Sequence, residues 1–144
     1  GVDGFVSLGP KSQFGLDIRG AAVIGQNADT GSFIPGIPAD HMTGTALWRP
    51  KINPRFSETE FGVSVKYVSK ARTDDSIDFA PAPLPYFLLG ARMESQFKIG
   101  KSSFNAGVVL DNALNVTYRD YSSLLRYFAS QPGRSLRFFT TQTF

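Results

Sequence analysis

The chain is 144 residues long, with 42% hydrophobic and 19% charged residues, a net charge of +3 and no cysteine. This length suits a single ordinary domain, in water or in a membrane. No run of about 18 apolar residues occurs, which excludes a transmembrane helix. The weak, dispersed positive charge does not support a nucleic-acid partner. Without cysteine there is no disulfide framework and no thiolate metal site.

The first four strand-like segments alternate apolar and polar residues between stretches rich in Gly and Pro. In the fourth segment, apolar residues occupy the odd positions from 61 to 67 and alternate with polar ones such as Ser64. Because side chains point to opposite faces with a period of two, one face of such a strand is apolar and the other polar. The pattern predicts β-strands at Val2–Leu8, 14–25, 41–49 and 60–67.

Three further segments predict strands at residues 87–99, 104–111 and 134–144. The fifth segment has the clearest alternation, with apolar residues at most of its odd positions and charged residues opposite them. The seventh ends on Phe144, which shares a face with Phe138 while Arg137 lies on the other. An amphipathic strand that ends on an aromatic residue is typical of the end of an outer-membrane β-barrel.

The connections between these segments alternate in length. Residues 9–13, 50–54 and 100–102 form short connections, whereas residues 27–40, 73–85 and 116–133 form long ones. Outer-membrane barrels have short periplasmic turns and long extracellular loops. The alternation therefore predicts an all-β, antiparallel transmembrane β-barrel segment of about seven strands in the bacterial outer membrane, with its C-terminus in the periplasm.

Aromatic and charged residues are assigned roles by this prediction. Aromatic residues near strand ends are expected at the membrane interface, and the terminal ones in the assembly signal; these are Trp48, Tyr67, Phe138 and Phe144. Charged residues of the polar faces are expected to line the lumen as a ladder of opposite charges; these are Asp17, Arg19, Glu60, Lys66, Arg92, Glu94, Lys98 and Arg137. A soluble antiparallel sandwich or barrel is the alternative, but its loops need not alternate in length.

An odd number of strands is itself informative. Bacterial single-chain barrels have even numbers of strands, with eight as the minimum. The chain therefore either contains an eighth strand or is part of something larger. Because an unpaired sheet edge is not tolerated in lipid, we expect both edge strands to pair with other polypeptide, and the chain alone not to close a pore.

Three stretches resemble the C-terminal portion of the barrel of TonB-dependent outer-membrane receptors. They are Phe33-Ile-Pro-Gly-Ile-Pro-Ala-Asp-His-Met42, Val109-Leu-Asp-Asn-Ala-Leu-Asn-Val-Thr-Tyr-Arg-Asp-Tyr121 and Leu125-Arg-Tyr-Phe-Ala-Ser-Gln-Pro-Gly-Arg134. The second is similar to the "DNLFN..Y" stretch of the family, and the third to its "P-G-R" entry into the closing strand. Ala113 and Gln142 depart from the family, which usually has aromatic residues there.

The resemblance implies that residues 1–144 close a barrel of about 22 strands, with the plug domain and the N-terminal strands absent from this sequence. The implied partners are the remainder of the receptor, in the same or a separate chain, a TonB-type energy-coupling protein and outer-membrane lipid. The first residues lack the features of a signal peptide, so we expect any export signal to have been removed or to lie farther upstream.

The implied function is the uptake of a scarce nutrient, a ferric siderophore or another iron complex. Aromatic and basic residues of one long loop are expected to contact such an anionic ligand; these are Tyr118, Arg119, Arg126 and Tyr127. The alternative for this loop is that it folds back on its own strands. We expect no cofactor and no metal site within the chain.

The single histidine, His41, is expected to have a structural role at the start of a strand. A hydrolase would need a nucleophile or a carboxylate pair beside a base. His41 with Asp40, or with Asp74 and Asp75, fits no catalytic motif, so we expect no enzyme. The alternative function is a small, self-contained outer-membrane barrel that acts as a structural anchor or a hydrolase.

Overall fold

The computed structural model describes residues 1–52, 56–73, 78, 81–100 and 102–143. Within these ranges the chain forms one open antiparallel sheet whose seven strands follow their order in the sequence. The strands are β1 (Val2–Leu8), β2 (Phe14–Ala22), β3 (His41–Trp48), β4 (Phe56–Val68), β5 (Tyr86–Ile99), β6 (Ser102–Asp111) and β7 (Ser135–Thr143). A single 3-10 turn, Leu124–Tyr127, precedes β7. The prediction of an all-β fold with seven antiparallel strands is confirmed.

Two strand boundaries differ clearly from the prediction. β2 ends at Ala22 rather than at residue 25, because its neighbours in the sheet provide no partner beyond Val2 in β1 and His41 in β3. β4 begins at Phe56 rather than at residue 60, because β5 is long enough to pair with it there, across an irregularity between Phe56 and Glu58. Pro54, Asp74, Asp75 and Phe144, which also feature in the sequence-based predictions, lie outside the described residues.

The sheet is a simple meander, so successive connections lie at opposite ends of it. Residues 9–13, 49–55 and 100–101 connect strands at one end, the short-turn end. Residues 23–40, 69–85 and 112–134 connect them at the other, the long-loop end, and are called the first, second and third long loops below. The predicted alternation of short and long connections is therefore present.

The two faces of the sheet differ in chemistry. On one, the apolar face, residues paired across neighbouring strands form continuous apolar rows. One row is Phe14, Trp48, Phe61, Met93, Val108 and Phe138, and the next is Leu8, Leu16, Ala46, Val63, Ala91, Leu110 and Leu136. Most of these side chains are exposed, to 67% for Phe14 and 77% for Phe138, and Phe61, Ala91, Val108 and Leu110 are half-buried.

Aromatic pairs border the apolar face at both ends. Towards the long-loop end, the rings of Tyr67 and Phe87 lie 4.7 Å apart between their centroids. Towards the short-turn end, Phe97 stacks on Phe104 at 5.7 Å and contacts Phe56 at 6.1 Å. Phe97 lies ten positions after Phe87 in β5, about 34 Å along a strand with a rise of about 3.4 Å per residue.

The opposite, polar face carries the charged residues. Among the described residues, the buried apolar side chains are few, and only Leu47 and Val68 belong to strands; the others are Ala71, Ala82 and Tyr121 in the long loops. A soluble domain of this size normally encloses a substantial apolar core. No helix of the described chain has the length and apolar character required to cross a membrane.

Candidate functional site

The charged residues of the polar face are arranged in bands across the strands. Arg19 and Lys66 lie in one row, separated by Thr43. Arg92 and Arg137 belong to another, and Glu60 lies directly opposite Glu94 in the next. All the charged residues that the sequence assigned to a lumen, with Asp17 and Lys98 included, therefore share one face. Cavities of about 400 and 980 Å³ open along this face.

Glu60 is the centre of an ion-pair network at the short-turn end. Its carboxylate accepts hydrogen bonds from Arg49 Nε at 2.6 Å and from Arg92 Nη2. Arg49 Nη1 also donates to the carbonyl oxygens of Gly9 and Ser12, each at 3.3 Å. Arg49 thereby connects the turn between β1 and β2 to β4. The Glu60 side chain is 16% exposed, so water screens this network only in part.

Replacing Glu60 with Gln should lower the free energy of unfolding by about 1–2 kcal/mol, because two arginines lose the carboxylate that they share. Denaturation of the natural polypeptide by urea measures the change. Glu94→Gln is the matched control, since Glu94 lies opposite Glu60 and makes no ion pair with the described residues; its effect should be within about 0.5 kcal/mol. Equal losses for the two variants would contradict this account of the network.

An aromatic side chain also lies on the polar face, where the sequence pattern predicts polar residues. Phe139 covers Gly107 of the neighbouring strand, and a Cβ atom at Gly107 would lie 2.5 Å from Phe139 Cζ and 2.6 Å from the carbonyl oxygen of Met93. The ring therefore occupies the space that the glycine leaves. Beside it, Arg137 pairs with Asp111 at 2.8 Å.

The first and second long loops are joined by an ion pair between Asp40 and Arg72. Arg72 Nη1 donates to Asp40 Oδ1 at 2.9 Å and also approaches the carbonyl oxygen of Val23 at 3.4 Å. Hydrogen bonding from Arg72 holds the pKa of the Asp40 carboxyl below its usual value. The pair therefore stabilises the loops above the usual carboxyl pKa and is lost as the pH falls through the lowered one.

The second and third long loops meet around one carboxylate, that of Asp78. It accepts hydrogen bonds from Arg126 Nη2 at 2.7 Å and from the hydroxyls of Tyr121 and Tyr127, each at 2.8 Å. The guanidinium of Arg126 lies over both rings, 4.1 Å from the Tyr121 centroid and 4.4 Å from that of Tyr127. The side chains of Arg126 and Asp78 are 4% and 0% exposed, so this is a buried ion pair.

Burial and charge act in opposite directions on the groups around Asp78. Burial disfavours the charged form of Arg126, but its hydrogen bond to Asp78 and the carboxylate charge keep its pKa above the usual value. The hydrogen bond to Asp78 also raises the pKa of the Tyr127 hydroxyl. At neutral pH, Arg126 therefore stays charged and the Tyr127 hydroxyl stays protonated beside Asp78.

Asparagines position the two ends of the third long loop. Asn112 and Asn115 have left-handed backbones, with φ of 49° and 55°, a conformation that asparagine tolerates well. The Asn112 side chain bonds both the N–H and the carbonyl of Val116 at 2.8 Å. Asn115 Oδ1 accepts from the Arg134 N–H at 2.9 Å, and a Cβ at Gly133 would lie 2.5 Å from it. The second and third stretches of the sequence resemblance thus contact each other.

A cavity of about 190 Å³ opens at the long-loop end of the polar face. Residues of β3, β4 and β5 line it from below, and residues of all three long loops surround it. Its titratable and aromatic lining comprises His41, Lys66, Tyr86, Arg119, Asp120 and Tyr121. Tyr86 also stacks on Tyr118, with 4.5 Å between the ring centroids. This loop-end cavity is the smallest of the three cavities, and its size suits a small group.

The four loop residues that the sequence predicts to contact one ligand lie in two different places in the structure. Tyr118 and Arg119 lie beside the loop-end cavity, and burial, followed by the charge of Asp120, raises the pKa of the Tyr118 hydroxyl. Arg126 and Tyr127 instead bind Asp78, so the third long loop packs on the second. Sequence reasoning missed Asp78, because no local pattern marks one carboxylate in an irregular loop.

The remaining candidates have simple positions. Trp48 stacks on Phe61 at 5.3 Å and, like Tyr67 and Phe138, lies on the apolar face. His41 begins β3, with Nδ1 at 3.3 Å from the carbonyl oxygen of Ala39. The adjacent Asp40 is bound to Arg72. Across the described residues, no three acidic or histidine side chains cluster closely enough to hold a metal ion.

A ligand or a partner chain on the polar side of the sheet can reach both the polar face and the loop-end cavity. Neither can be assigned by similarity to another protein. No protein-family model matches this chain, and no curated protein or solved structure matches it either.

Proposed function

We propose that this chain forms part of the wall of an outer-membrane β-barrel of the TonB-dependent transporter type. In this arrangement the apolar face contacts lipid, the polar face lines the lumen and the long loops are extracellular. The barrel takes up a scarce nutrient, a ferric siderophore or another iron complex. The chain itself contributes no enzymatic centre.

The strongest support is the exposed apolar face. A contiguous apolar surface of this extent needs a cover, and the described chain contains no second layer that packs on it. The band between its aromatic borders, about 34 Å along the strands, would be about 26 Å high if the strands tilt by about 40°. This agrees with the apolar band of about 25 Å, flanked by aromatic girdles, that outer-membrane barrels present to lipid.

The polar face suits a lumen. Arg49, Arg92 and Arg137 are each paired with a carboxylate, so that the ionic groups offset one another's charge while they remain accessible to water. Barrels of about 22 strands hold a plug within their lumen. The mixed charges of this face would contact such a plug.

Both edges of the sheet require partners in a membrane. β1 and β7 each have one neighbour among the described strands, so each leaves a row of backbone groups unpaired. They also run in the same direction, because six antiparallel pairings separate them. Closing a fully antiparallel barrel around this sheet therefore takes an odd number of further strands, as a barrel of about 22 strands would supply. The remainder of the receptor would provide them.

The transporter type rests on the sequence resemblance and on the geometry of the loops. Asn112, Asn115 and Gly133, which belong to the resembling stretches, together shape the third long loop. The loop-end cavity lies on the lumen side of the proposed barrel, where an incoming solute would pass. Energy for uptake would come from a TonB-type protein of the inner membrane.

Single cysteines on adjacent residues test the assignment of the faces, since residues 1–144 contain no cysteine of their own. A spin label at Val63→Cys, on the apolar face, should collide with lipid-soluble oxygen and be shielded from a water-soluble nickel complex. A label at Ser64→Cys, on the polar face, should show the reverse. The measurement uses the natural polypeptide in outer-membrane vesicles. Exposure of both labels to nickel, or shielding of both from oxygen, would contradict a lipid-facing wall.

The transport role has a separate test. Deletion of the natural gene should abolish energy-dependent uptake of at least one radiolabelled ferric siderophore. Normal uptake of a broad panel of iron complexes would point to a different solute while leaving the result of the spin-label experiment unchanged.

A further inference from the structure

The loop-end cavity is lined by two cations, Lys66 and Arg119, and by a single carboxylate. Five arginines of the described chain each pair with a carboxylate. Lys66 and Arg119, which both line the cavity, form no ion pair with the described residues. Thr43 and Leu88 lie opposite Lys66 in the neighbouring strands, so no carboxylate faces it across the sheet.

One carboxylate, that of Asp120, also lines the cavity. Its Oδ1 accepts hydrogen bonds from the Ser122 N–H at 2.9 Å and from the Ser122 hydroxyl at 2.7 Å, which holds it in a local turn. Lys66 and Arg119 against this one carboxylate give the cavity a net positive charge. A second anion would therefore be attracted to it.

The size of the cavity limits what can enter. Its volume of about 190 Å³ exceeds only modestly the 150 Å³ or so of a cavity that accepts benzene. It can take one small group of a ligand, but not a whole iron complex. Part of the wall is apolar or aromatic and buried, with Ala71 and Tyr121, and the rest is polar, with Ser69 and Ser122; the buried part strengthens a charged contact relative to water.

We propose that the loop-end cavity binds a single carboxylate or phosphate group of a soluble ligand between Lys66 and Arg119. Arg119 can offer two parallel N–H donors to the oxygens of the anion, and Lys66 a compact positive charge. Tyr121 forms a wall that Asp78 holds in place through the Tyr121 hydroxyl. Because the cavity opens on the polar face, its ligand comes from the aqueous side and not from lipid.

The proposed binding site depends only on the cavity and on the charged residues that line it. Only its role as one contact of a transported ligand rests on the proposed function. The two are separable by experiment, since anion binding can be measured without transport and the spin labels at residues 63 and 64 report on lipid without any ligand.

Chemical modification of the natural polypeptide in detergent micelles tests the site. Sulfo-NHS-acetate acetylates lysines, phenylglyoxal modifies arginines, and mass spectrometry quantifies each residue. Inorganic phosphate or succinate, each at tens of millimolar, should slow the modification of both Lys66 and Arg119 several-fold. Lys98, at the short-turn end of the same face, is the internal control and should be unaffected.

Lys66→Gln should raise the phosphate concentration that half-protects Arg119 from modification by about tenfold, because a charge-assisted contact to the anion is lost. Lys98→Gln should leave that protection unchanged. Protection by phosphate alone, or by succinate alone, would identify the preferred group. The proposal is overturned if neither anion protects Arg119, if Lys98 is protected equally, or if Lys66→Gln leaves the protection of Arg119 intact.

Discussion

Ala91→Arg is expected to destabilise the folded protein in a bilayer by about 2–4 kcal/mol. Ala91 lies on the apolar face, paired with Val63 on one side and Leu110 on the other, midway between the aromatic borders. An arginine there would place its charge close to the middle of the hydrocarbon layer. Reversible folding into vesicles of defined lipid, followed by urea titration, measures the loss.

Thr45→Arg is the matched control, because Thr45 lies at a similar depth on the polar face. Its neighbours across the sheet are Asp17 and Ser64, so an added cation would face a carboxylate and water. We expect a change within about 0.5 kcal/mol. A similar cost for both variants would show that the faces are wrongly assigned, and a negligible cost for Ala91→Arg would show that no lipid covers the apolar face.

Asp78→Ala is expected to open the third long loop, because it leaves the Arg126 guanidinium buried without its carboxylate. Removing one partner of a buried ion pair costs about 3–5 kcal/mol. Tyr121 and Tyr127 lose the acceptor of their hydroxyl groups in the same step. Trypsin cuts after arginine, so cleavage after Arg126 under native conditions should become faster by two orders of magnitude or more.

Arg72→Gln serves as the comparison for that experiment. Its ion pair with Asp40 is 39% and 30% exposed on the two side chains, so its loss should change cleavage after Arg126 little. Adding Arg126→Met to Asp78→Leu should restore the order of the loop, because two apolar side chains remove the uncompensated charge. Cleavage is read at Arg119 in this double variant, since residue 126 no longer offers a trypsin site. If Asp78→Ala leaves the loop resistant, the carboxylate is not what holds it.

The strands could be predicted from the sequence because the alternation that marks a strand is local to each segment. A period of two in hydrophobicity belongs to each segment separately, and it correctly predicted β1, most of the other boundaries to within two residues and the sharing of one face by the charged residues. Errors arose where pairing decides the length of a strand. β2 stops where its neighbours stop, and β4 continues because β5 provides partners as far as Phe97.

The contacts between the loops could not be predicted in the same way. The sequence-based prediction treated four residues as one group because they are close in the chain: Tyr118, Arg119, Arg126 and Tyr127. In the folded molecule Asp78, 48 residues from Arg126, binds Arg126 and Tyr127, while Arg119 lines the loop-end cavity together with Lys66. Contacts of this kind depend on where two irregular loops meet in space, and no periodicity in the sequence of either loop predicts that position.

By itself, the sequence determined the number of strands, their antiparallel order, the alternation of short and long connections and the division of the sheet into an apolar and a polar face. These properties follow from side-chain alternation and turn chemistry within each segment. Only the tertiary structure decided which carboxylate each arginine binds and which cations remain unpaired. Those choices depend on distances between residues far apart in the chain, which are set when the strands pair and bring the loops together at one end.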